Sequence, residues 1–272
     1  MNGESEAPSL VGPQLARAAR ILANAGLSAP QDEARSLLGA LLDTSTALLL
    51  AQPDRGMSPL EVETYATWIA RRVAGEASAH ITGHLAFMGL DITMGQQSPL
   101  PPPDARQLVE MALEWARRSG SRELLAAEIG TGCGAVSLAL AAFEPRFMRI
   151  YAIDPSTVAL QAAEANGARY LLNLIIQWLE GEGPDAIPEP VDLIICAHSG
   201  TVHTASFSRV LAQAPENLRP GGALICTVED AQRQETDELL VRGFSHAPVW
   251  VEGAGDGAAL VVAQLSRDST GG

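Results

Sequence analysis

The segment EIGTGCGAVSLALA, residues 128–141, combines residue types that could bind a small molecule. Its glycines allow the backbone to turn sharply and to approach a ligand closely. The apolar run that follows predicts a helix, whose first N–H groups have no partner within the helix and carry a positive partial charge. Gly130, Thr131, Gly132 and Gly134 therefore predict a site for the anionic or polar part of a small molecule.

A carboxylate follows this turn at the spacing expected for a nucleoside ligand. The next apolar stretch, MRIYAID, ends at Asp154, whose carboxylate can accept both hydrogen bonds of a ribose diol. The glycines alternate, whereas the third glycine of the dinucleotide fingerprint G-x-G-x-x-G comes one residue later. The spacing therefore indicates S-adenosylmethionine, and not NAD, as the ligand. A helix cap before Pro155 is the alternative role for Asp154.

The elements that must position these residues follow an alternating pattern. From Leu124 onward, helical segments separate the apolar stretches LLAAEIG, MRIYAID, LNLIIQWL, VDLIICA, GALICTV and ALVVAQL. This alternation predicts a doubly wound, mostly parallel sheet. Before it, apolar residues recur at helical spacing from about Pro13 to Val73, which predicts a small helical bundle. The stretch HLAFMGLDITM predicts a hairpin that turns at Met88 and Gly89, and the prolines after it predict a stiff linker.

The sequence thus predicts an α/β protein of several parts. Residues 1–78 form a helical domain for substrate or partner recognition, and residues 79–103 form the hairpin and the proline-rich linker. Residues 104–267 form the cofactor-binding domain, and residues 268–272 form a disordered tail.

Composition restricts the function classes. The chain has 272 residues and a net charge of −14, which disfavours nucleic acid as a partner. All 18 basic residues are arginine, so lysine-based Schiff-base chemistry is excluded. No apolar run reaches the length of a membrane helix, and the acidic N-terminus is unlike a secretion signal, so we expect a cytoplasmic protein. The widely spaced Cys133, Cys196 and Cys226 predict buried structural thiols and no metal site.

Several segments carry a resemblance to a known family. EIGTGCGAVSLALA is similar to the strand, turn and helix of class I methyltransferases, and the wider chain resembles the HemK family. That family comprises glutamine-N5 methyltransferases that modify peptide-chain release factors. The segments that carry the wider resemblance are AGLSAPQDEARSLLGALL, RRVAGEASAHITGHLAFMGLDI, LPPPDARQLVEMAL, IYAIDPSTVALQAAEANGARY and ENLRPGGALICTVED.

The resemblance implies roles for single residues. The glycine turn would wrap the methionine part of the cofactor, with Glu128 in the place of the usual aspartate, and Asp154 would hold the ribose. Gln177 would accept a hydrogen bond from the adenine amino group, and Trp178 would pack beside the base. The helical domain would grip a protein substrate such as a release factor.

One motif of the family is replaced. The fourth strand of the family ends in N-P-P-Y, whereas VDLIIC here runs into Ala197, His198, Ser199 and Gly200. In the family, the asparagine side chain and the next carbonyl hold the N–H groups of the amide that is methylated. Ala197 has no such side chain, and Pro102 occupies the place of an arginine in the family's linker motif. We therefore expect an altered methyl acceptor.

Three interpretations remain open at this point. In the first, His198 is a general base for methyl transfer to another nucleophile, with His203 as the second candidate and Ser199 as a hydrogen-bonding group. The alternative for His198 is a loop histidine without a catalytic role. In the second interpretation, the protein is an inactive relative that binds the cofactor or a protein partner. In the third, it modifies a small molecule and the helical domain forms a lid.

Overall fold

The computed structural model describes residues 9–95, 98–197, 204–244, 247–252 and 258–266. The chain divides into two compact units, Met1–His84 and Leu85–Gly272. The predicted tail at residues 268–272 lies outside the described residues. None of the helices that are described is long and apolar enough to span a bilayer.

The first unit is the helical bundle that the sequence predicts. Its core consists of apolar side chains spaced along the helices, including Tyr65, whose hydroxyl donates a hydrogen bond to the Ala34 carbonyl at 2.8 Å. Two short strands pair antiparallel beside the helices. The elements are β1 (Ser9–Leu10), α1 (Val11–Asn24), α2 (Pro30–Leu41), α3 (Thr46–Ala51), β2 (Gly56–Met57), α4 (Pro59–Val73) and α5 (Ser78–Thr82).

The second unit begins with the predicted hairpin. Strands β3 (His84–Phe87) and β4 (Leu90–Thr93) flank Met88 and Gly89, whose φ angles are 50° and 84°. Two successive residues with positive φ give a turn whose twist matches that of the paired strands. The proline-rich linker follows, and helix α6 (Ala105–Ser119) comes after it.

A seven-stranded sheet forms the centre of the second unit, in the order β10-β11-β9-β8-β5-β6-β7. Neighbouring strands from β9 to β7 run parallel, while β11 is antiparallel to both β9 and β10. This confirms the predicted doubly wound fold. The strands are β5 (Leu124–Ile129), β6 (Phe147–Asp154), β7 (Ile176–Glu180), β8 (Val191–Cys196), β9 (Leu218–Glu229), β10 (Val249–Glu252) and β11 (Ala258–Gln264). The helices between them are α7 (Ala135–Phe143), α8 (Thr157–Arg169), α9 (Thr204–Asn217) and α10 (Arg233–Gly243).

One predicted strand differs from the structure. The sequence predicts a strand over LNLIIQWL, whereas Leu172–Leu174 form a short 3₁₀ turn and β7 runs from Ile176 to Glu180. Leu174 is 85% exposed, so its apolar character does not reflect a place in the sheet. The strand therefore begins later along the chain than the apolar pattern indicates.

The strand order fixes the place of the site. Strand β5 lies between β6 and β8, so the chain leaves β5 toward one side of the sheet and later returns on the other side. At such a switch point, a crevice opens beyond the carboxyl ends of the strands. Both faces of β5 and β8 are covered by other elements, which accounts for their continuous apolar runs.

Candidate cofactor and acceptor site

A cavity of about 460 Å³ lies at the carboxyl ends of the central strands. Its volume falls in the range typical of small-molecule sites. The cavity has a mainly apolar wall with a few acidic side chains. The described lining residues are Pro99, Leu100, Pro101, Pro102, Glu128, Ile129, Gly130, Thr131, Gly132, Cys133, Ala135, Val136, Asp154, Pro155, Gly181, Glu182, Cys196, Ala197, Arg209 and Val210.

The glycine turn between β5 and α7 forms the floor of this cavity. The φ angles of Gly130, Gly132 and Gly134 are 80°, 53° and 81°, which lie in the left-handed region that favours glycine. The N–H groups of Gly130 and Thr131 donate to the Ile153 carbonyl at 2.8 and 3.0 Å. The turn is thus bound to the end of β6.

Gly134 lies behind the turn and is not among the described lining residues. A Cβ atom at this position would lie 2.9 Å from the Ala163 Cβ and 3.0 Å from the Trp178 ring. Such distances are too short for real contacts, so helix α8 and Trp178 pack against the bare backbone of the turn.

We expect Gly134→Ala to lower the free energy of unfolding by about 2 kcal/mol or more, because left-handed strain of about 1–2 kcal/mol adds to this steric clash. Thermal or urea unfolding measures the loss. Gly120→Ala is the matched control, since Gly120 has a φ of 74° but no atom within 4 Å of an added Cβ. Equal losses in the two variants would contradict the packing role of Gly134.

Asp154 lines the cavity and also holds the backbone around it. Its Oδ2 accepts a hydrogen bond from Gly132 N at 2.8 Å, and its Oδ1 accepts one from Ser156 N at 2.9 Å. The bond from Ser156 N resembles a helix cap, which the sequence analysis gave as the alternative role of Asp154. Each carboxylate oxygen has a further lone pair, so both oxygens can still accept hydrogen bonds from a ribose diol. The residue fits the predicted contact with the cofactor.

Glu128 is a buried carboxyl group on the cavity wall. Its Oε2 accepts hydrogen bonds from Thr131 Oγ1 at 2.8 Å and Ser137 N at 2.9 Å, and also from Ser137 Oγ. Burial raises the pKa of Glu128 to about 7 from an ordinary value of 4.5. The Asp154 charge also raises this pKa, while the hydrogen bonds from Ser137 and Thr131 oppose the shift.

We expect Glu128→Gln to flatten the pH dependence of the free energy of unfolding between about pH 4.5 and 7. The folded-state pKa is the higher one, so the contribution of Glu128 to stability is fully present below pH 4.5 and is lost as the pH rises to about 7. The loss is on the order of 3 kcal/mol. Urea unfolding of both proteins at pH 5 and pH 7.5 measures it. Parallel profiles for the two proteins would contradict the buried acid.

Gln177 and Trp178 lie within β7 and are not among the described residues that line the cavity. Gln177 is exposed, while the Trp178 ring packs against Gly134 and its Nε1 donates to Asn173 Oδ1 at 3.0 Å. Gly181 and Glu182, which follow the strand, line the cavity instead. The glycines of the segment GEG were the available sequence signal for the true end of the strand.

The end of β8, where the sequence predicts the acceptor to bind, forms one side of the cavity. Cys196 and Ala197 are buried there, with 1% and 6% exposure, and both line the cavity. His198, the predicted general base, lies outside the described residues, as do Ser199, Gly200 and His203. The described part of this wall is thus apolar and offers no side-chain hydrogen bond to an amide.

The three cysteines are buried and free, as the sequence predicts. Burial raises the pKa of Cys133 to about 11 and that of Cys196 to about 12. These thiols therefore stay protonated near neutral pH and are poor nucleophiles, although both line the cavity.

The proline-rich linker forms another wall of the cavity and contacts the glycine turn. A Cβ atom on Gly132 would lie 3.1 Å from Pro99 Cγ, so the linker packs directly on the turn. The buried Asn166 accepts from Thr93 N at 2.8 Å and donates to the Thr93 carbonyl at 3.0 Å and to the Cys133 carbonyl at 3.4 Å. Through Asn166, helix α8 therefore connects the hairpin with the glycine turn.

The fold and this site together define a class I methyltransferase, a class that uses S-adenosylmethionine as its methyl donor. Residues 114–255 match the family model of the methyltransferase small domain, and residues 14–83 match that of the PrmC N-terminal domain. The chain belongs to the HemK-like family of release factor glutamine methyltransferases, and it is an S-adenosylmethionine-dependent enzyme.

Similar proteins with curated names support this family. The chain is 34% identical to the release factor glutamine methyltransferase of Bordetella pertussis over 206 residues, which cover 75% of this chain and 73% of the relative. Identity to the Rhodospirillum rubrum protein of the same name is 34% over 266 residues, covering 88% and 81%. The chain is 30% identical to the Moorella thermoacetica protein of the same name over 250 residues, which cover 83% of this chain and 87% of the relative.

Solved structures share the fold. A methyltransferase from Pyrococcus furiosus superposes with a TM-score of 0.52 at 20% identity, over 74% of this chain and 99% of that chain. A 16S rRNA methyltransferase from T. thermophilus superposes with a TM-score of 0.54 at 18% identity, over 67% and 49%.

Proposed function

We propose that this enzyme transfers a methyl group from S-adenosylmethionine to a protein, on a nucleophile other than an amide nitrogen held by the residue at position 197. The observation that carries the proposal is Ala197 itself. It lies at the end of β8, buried on the cavity wall, and its methyl side chain can neither donate nor accept a hydrogen bond.

The cofactor supplies an electrophilic methyl group on a positively charged sulfur atom. The backbone of the glycine turn would hold its amino-acid part, and Asp154 would hold the ribose. Glu128 suits the ammonium group, because Oε1 accepts none of the hydrogen bonds that described residues give this carboxyl. The acidic lining also suits a ligand that carries positive charge.

The acceptor requires less from the protein if it is not an amide. An amide nitrogen is a poor nucleophile, and its lone pair must be turned toward the methyl group by hydrogen bonds to both N–H groups. A carboxylate or hydroxyl oxygen needs correct placement and at most one general base. We assign that base to His198, which directly follows Ala197 in the chain.

The acceptor belongs to a protein in this proposal. Residues 14–83 are similar to a domain that occurs in release factor methyltransferases, and the relatives named above are enzymes of that kind. A release factor is therefore the first substrate to test. A cytoplasmic location is part of this proposal, and the net charge of −14 makes nucleic acid a poor candidate.

The test is transfer of label from methyl-labelled S-adenosylmethionine to a purified release factor, followed by treatment with mild alkali. We expect labelled protein whose label lies on an oxygen atom. Alkali releases the label from a methyl ester, whereas a methyl ether on a hydroxyl side chain keeps its label and maps to that residue. Label that resists alkali and maps to glutamine would overturn the altered acceptor. Label found only on small molecules of an extract would overturn the protein substrate, and no transfer at all would favour an inactive relative.

A matched variant tests the role of position 197. We expect Ala197→Asn to lower transfer to the native acceptor by about tenfold, because a polar side chain then faces a buried apolar wall without a partner. Unfolding measurements on the same sample establish that the variant is folded. An unchanged transfer rate would show that residue 197 does not contact the acceptor.

A further inference from the structure

Asn166 is a fully buried polar side chain of α8 that bonds to two parts of the cavity wall, although it is not among the described lining residues. Its Oδ1 accepts a hydrogen bond from Thr93 N at 2.8 Å, and its Nδ2 donates to the Thr93 carbonyl at 3.0 Å. The amide thus pairs with β4 as a residue of a neighbouring strand would. Nδ2 also donates to the Cys133 carbonyl in the glycine turn, at 3.4 Å. One side chain therefore joins the hairpin to the turn.

The bond to Cys133 acts on the last peptide unit of the glycine turn. The N–H of that unit, which belongs to Gly134, donates to the Thr131 carbonyl at 2.9 Å. Because a peptide unit is planar, hydrogen bonds to its N–H and to its carbonyl together fix its orientation. Asn166 supplies the bond to the carbonyl, so it helps to determine how the turn presents its backbone at the start of α7.

The bonds to Thr93 act on the proline-rich wall. Thr93 is the last residue of β4, and the chain continues from it to Pro99, which lines the cavity. Pro99 in turn packs on the glycine turn, since its Cγ would lie 3.1 Å from a Cβ atom on Gly132. Asn166 thus holds both the strand from which this wall begins and the turn on which the wall packs.

The chemistry of the contact selects asparagine. Only asparagine and glutamine combine one carbonyl acceptor with two N–H donors in a side-chain amide, and glutamine is one methylene longer. Leucine has nearly the shape of asparagine but forms none of these hydrogen bonds. The Cys133 carbonyl would then lose a buried hydrogen bond, which is costly, so we expect the turn to shift toward another partner.

We propose that Asn166 is a positioning residue for the cofactor, which holds the glycine turn and the proline-rich wall in place around the amino-acid part of S-adenosylmethionine. The inference rests on the proposed binding of that part at the turn. Asn166 acts through the turn and the wall, because it is not itself among the described lining residues. Its loss should weaken the binding of ligands that carry the amino-acid part and leave ligands without that part nearly unaffected.

The experiment is calorimetric titration of the full chain with S-adenosylhomocysteine and with 5′-methylthioadenosine, which lacks the amino-acid part. We expect Asn166→Leu to bind S-adenosylhomocysteine about tenfold more weakly than the native protein does. Methylthioadenosine should bind to this variant within about twofold of its native affinity, because it makes no contact with the turn through an amino-acid part. Thermal unfolding of the same samples establishes that the variant is folded.

Tyr170→Phe is the matched control. Tyr170 directly follows α8, and its hydroxyl also forms two hydrogen bonds with the backbone of β4: it accepts from Asp91 N at 2.7 Å and donates to the Asp91 carbonyl at 3.1 Å. Neither bond involves the glycine turn. We expect this variant to bind both ligands as the native protein does, although it too loses a connection between α8 and the hairpin.

A second variant tests the two donors separately from the acceptor. Asn166→Asp keeps the shape of the side chain and can still accept from Thr93 N, but an ionised carboxylate donates to neither the Thr93 nor the Cys133 carbonyl. We expect the same selective loss of affinity for S-adenosylhomocysteine. This variant replaces Asn166→Leu if the leucine protein unfolds.

Four results would overturn the inference. Asn166→Leu could bind S-adenosylhomocysteine with native affinity, which would leave Asn166 without a role at the cofactor. It could lose affinity for both ligands equally, or Tyr170→Phe could share its loss, and either result would make Asn166 a purely structural residue. The native protein could bind neither ligand, and this titration alone would contradict the use of the cavity by the cofactor and the inference with it.

Discussion

Replacing Asp154 with alanine is expected to weaken the binding of S-adenosylmethionine by about 1.5–3 kcal/mol, the range for hydrogen bonds to a charged group. This corresponds to a loss of about 10- to 150-fold in affinity. The carboxylate lines the cavity and has lone pairs left for a ribose diol after it has accepted the two backbone bonds. Calorimetric titration of the variant with S-adenosylhomocysteine measures the change.

The same substitution also removes the hydrogen bonds from Gly132 N and Ser156 N, so it should lower stability as well as affinity. Ser156→Ala separates the two effects. Ser156 caps helix α8 by accepting a hydrogen bond from Ala159 N at 3.2 Å, but it does not line the cavity. We expect this control to lose about 1 kcal/mol of stability and to keep native affinity. Native affinity in Asp154→Ala would reduce Asp154 to a structural residue.

Replacing His198 with alanine is expected to lower the rate of methyl transfer by about a hundredfold or more if this residue is the general base. The affinity for S-adenosylhomocysteine should stay unchanged, because the base contacts the acceptor and not the cofactor. Single-turnover rates at saturating cofactor, measured from pH 5 to 9, test both parts.

In the native enzyme the rate should rise as the pH rises, since a histidine acts as a base only when it is neutral. The variant should lose that step in the profile. His203→Ala is the control, as the second histidine of the same segment. A native rate in His198→Ala would assign this histidine no catalytic role.

The glycine turn and the place of Asp154 beside the cavity could be predicted from the sequence because their determinants are local. The turn from Gly130 to Gly134 needs left-handed backbone that glycine adopts most readily, and Asp154 ends an apolar strand at a fixed distance from it. Both features lie within about 30 residues of each other along the chain. The alternation of strands and helices also predicts a parallel sheet, and in such a sheet the cavity opens beyond the carboxyl ends of the strands.

The wall of the cavity beside the loop after β7 could not be predicted in the same way. The exposed Leu174 made the predicted strand LNLIIQWL begin earlier than β7, which starts at Ile176 and ends at Glu180. Arg209 carries no local signal at all, because its place on the cavity wall depends on how α9 packs on the sheet. Only the tertiary structure brings it to the loop after β7 and to Glu182.

The most direct test of this account is calorimetric titration of the purified protein with S-adenosylmethionine and S-adenosylhomocysteine. We predict binding of both ligands at micromolar concentrations, as the glycine turn, Asp154 and the cavity between them imply. Absence of binding at millimolar ligand would contradict a working cofactor site.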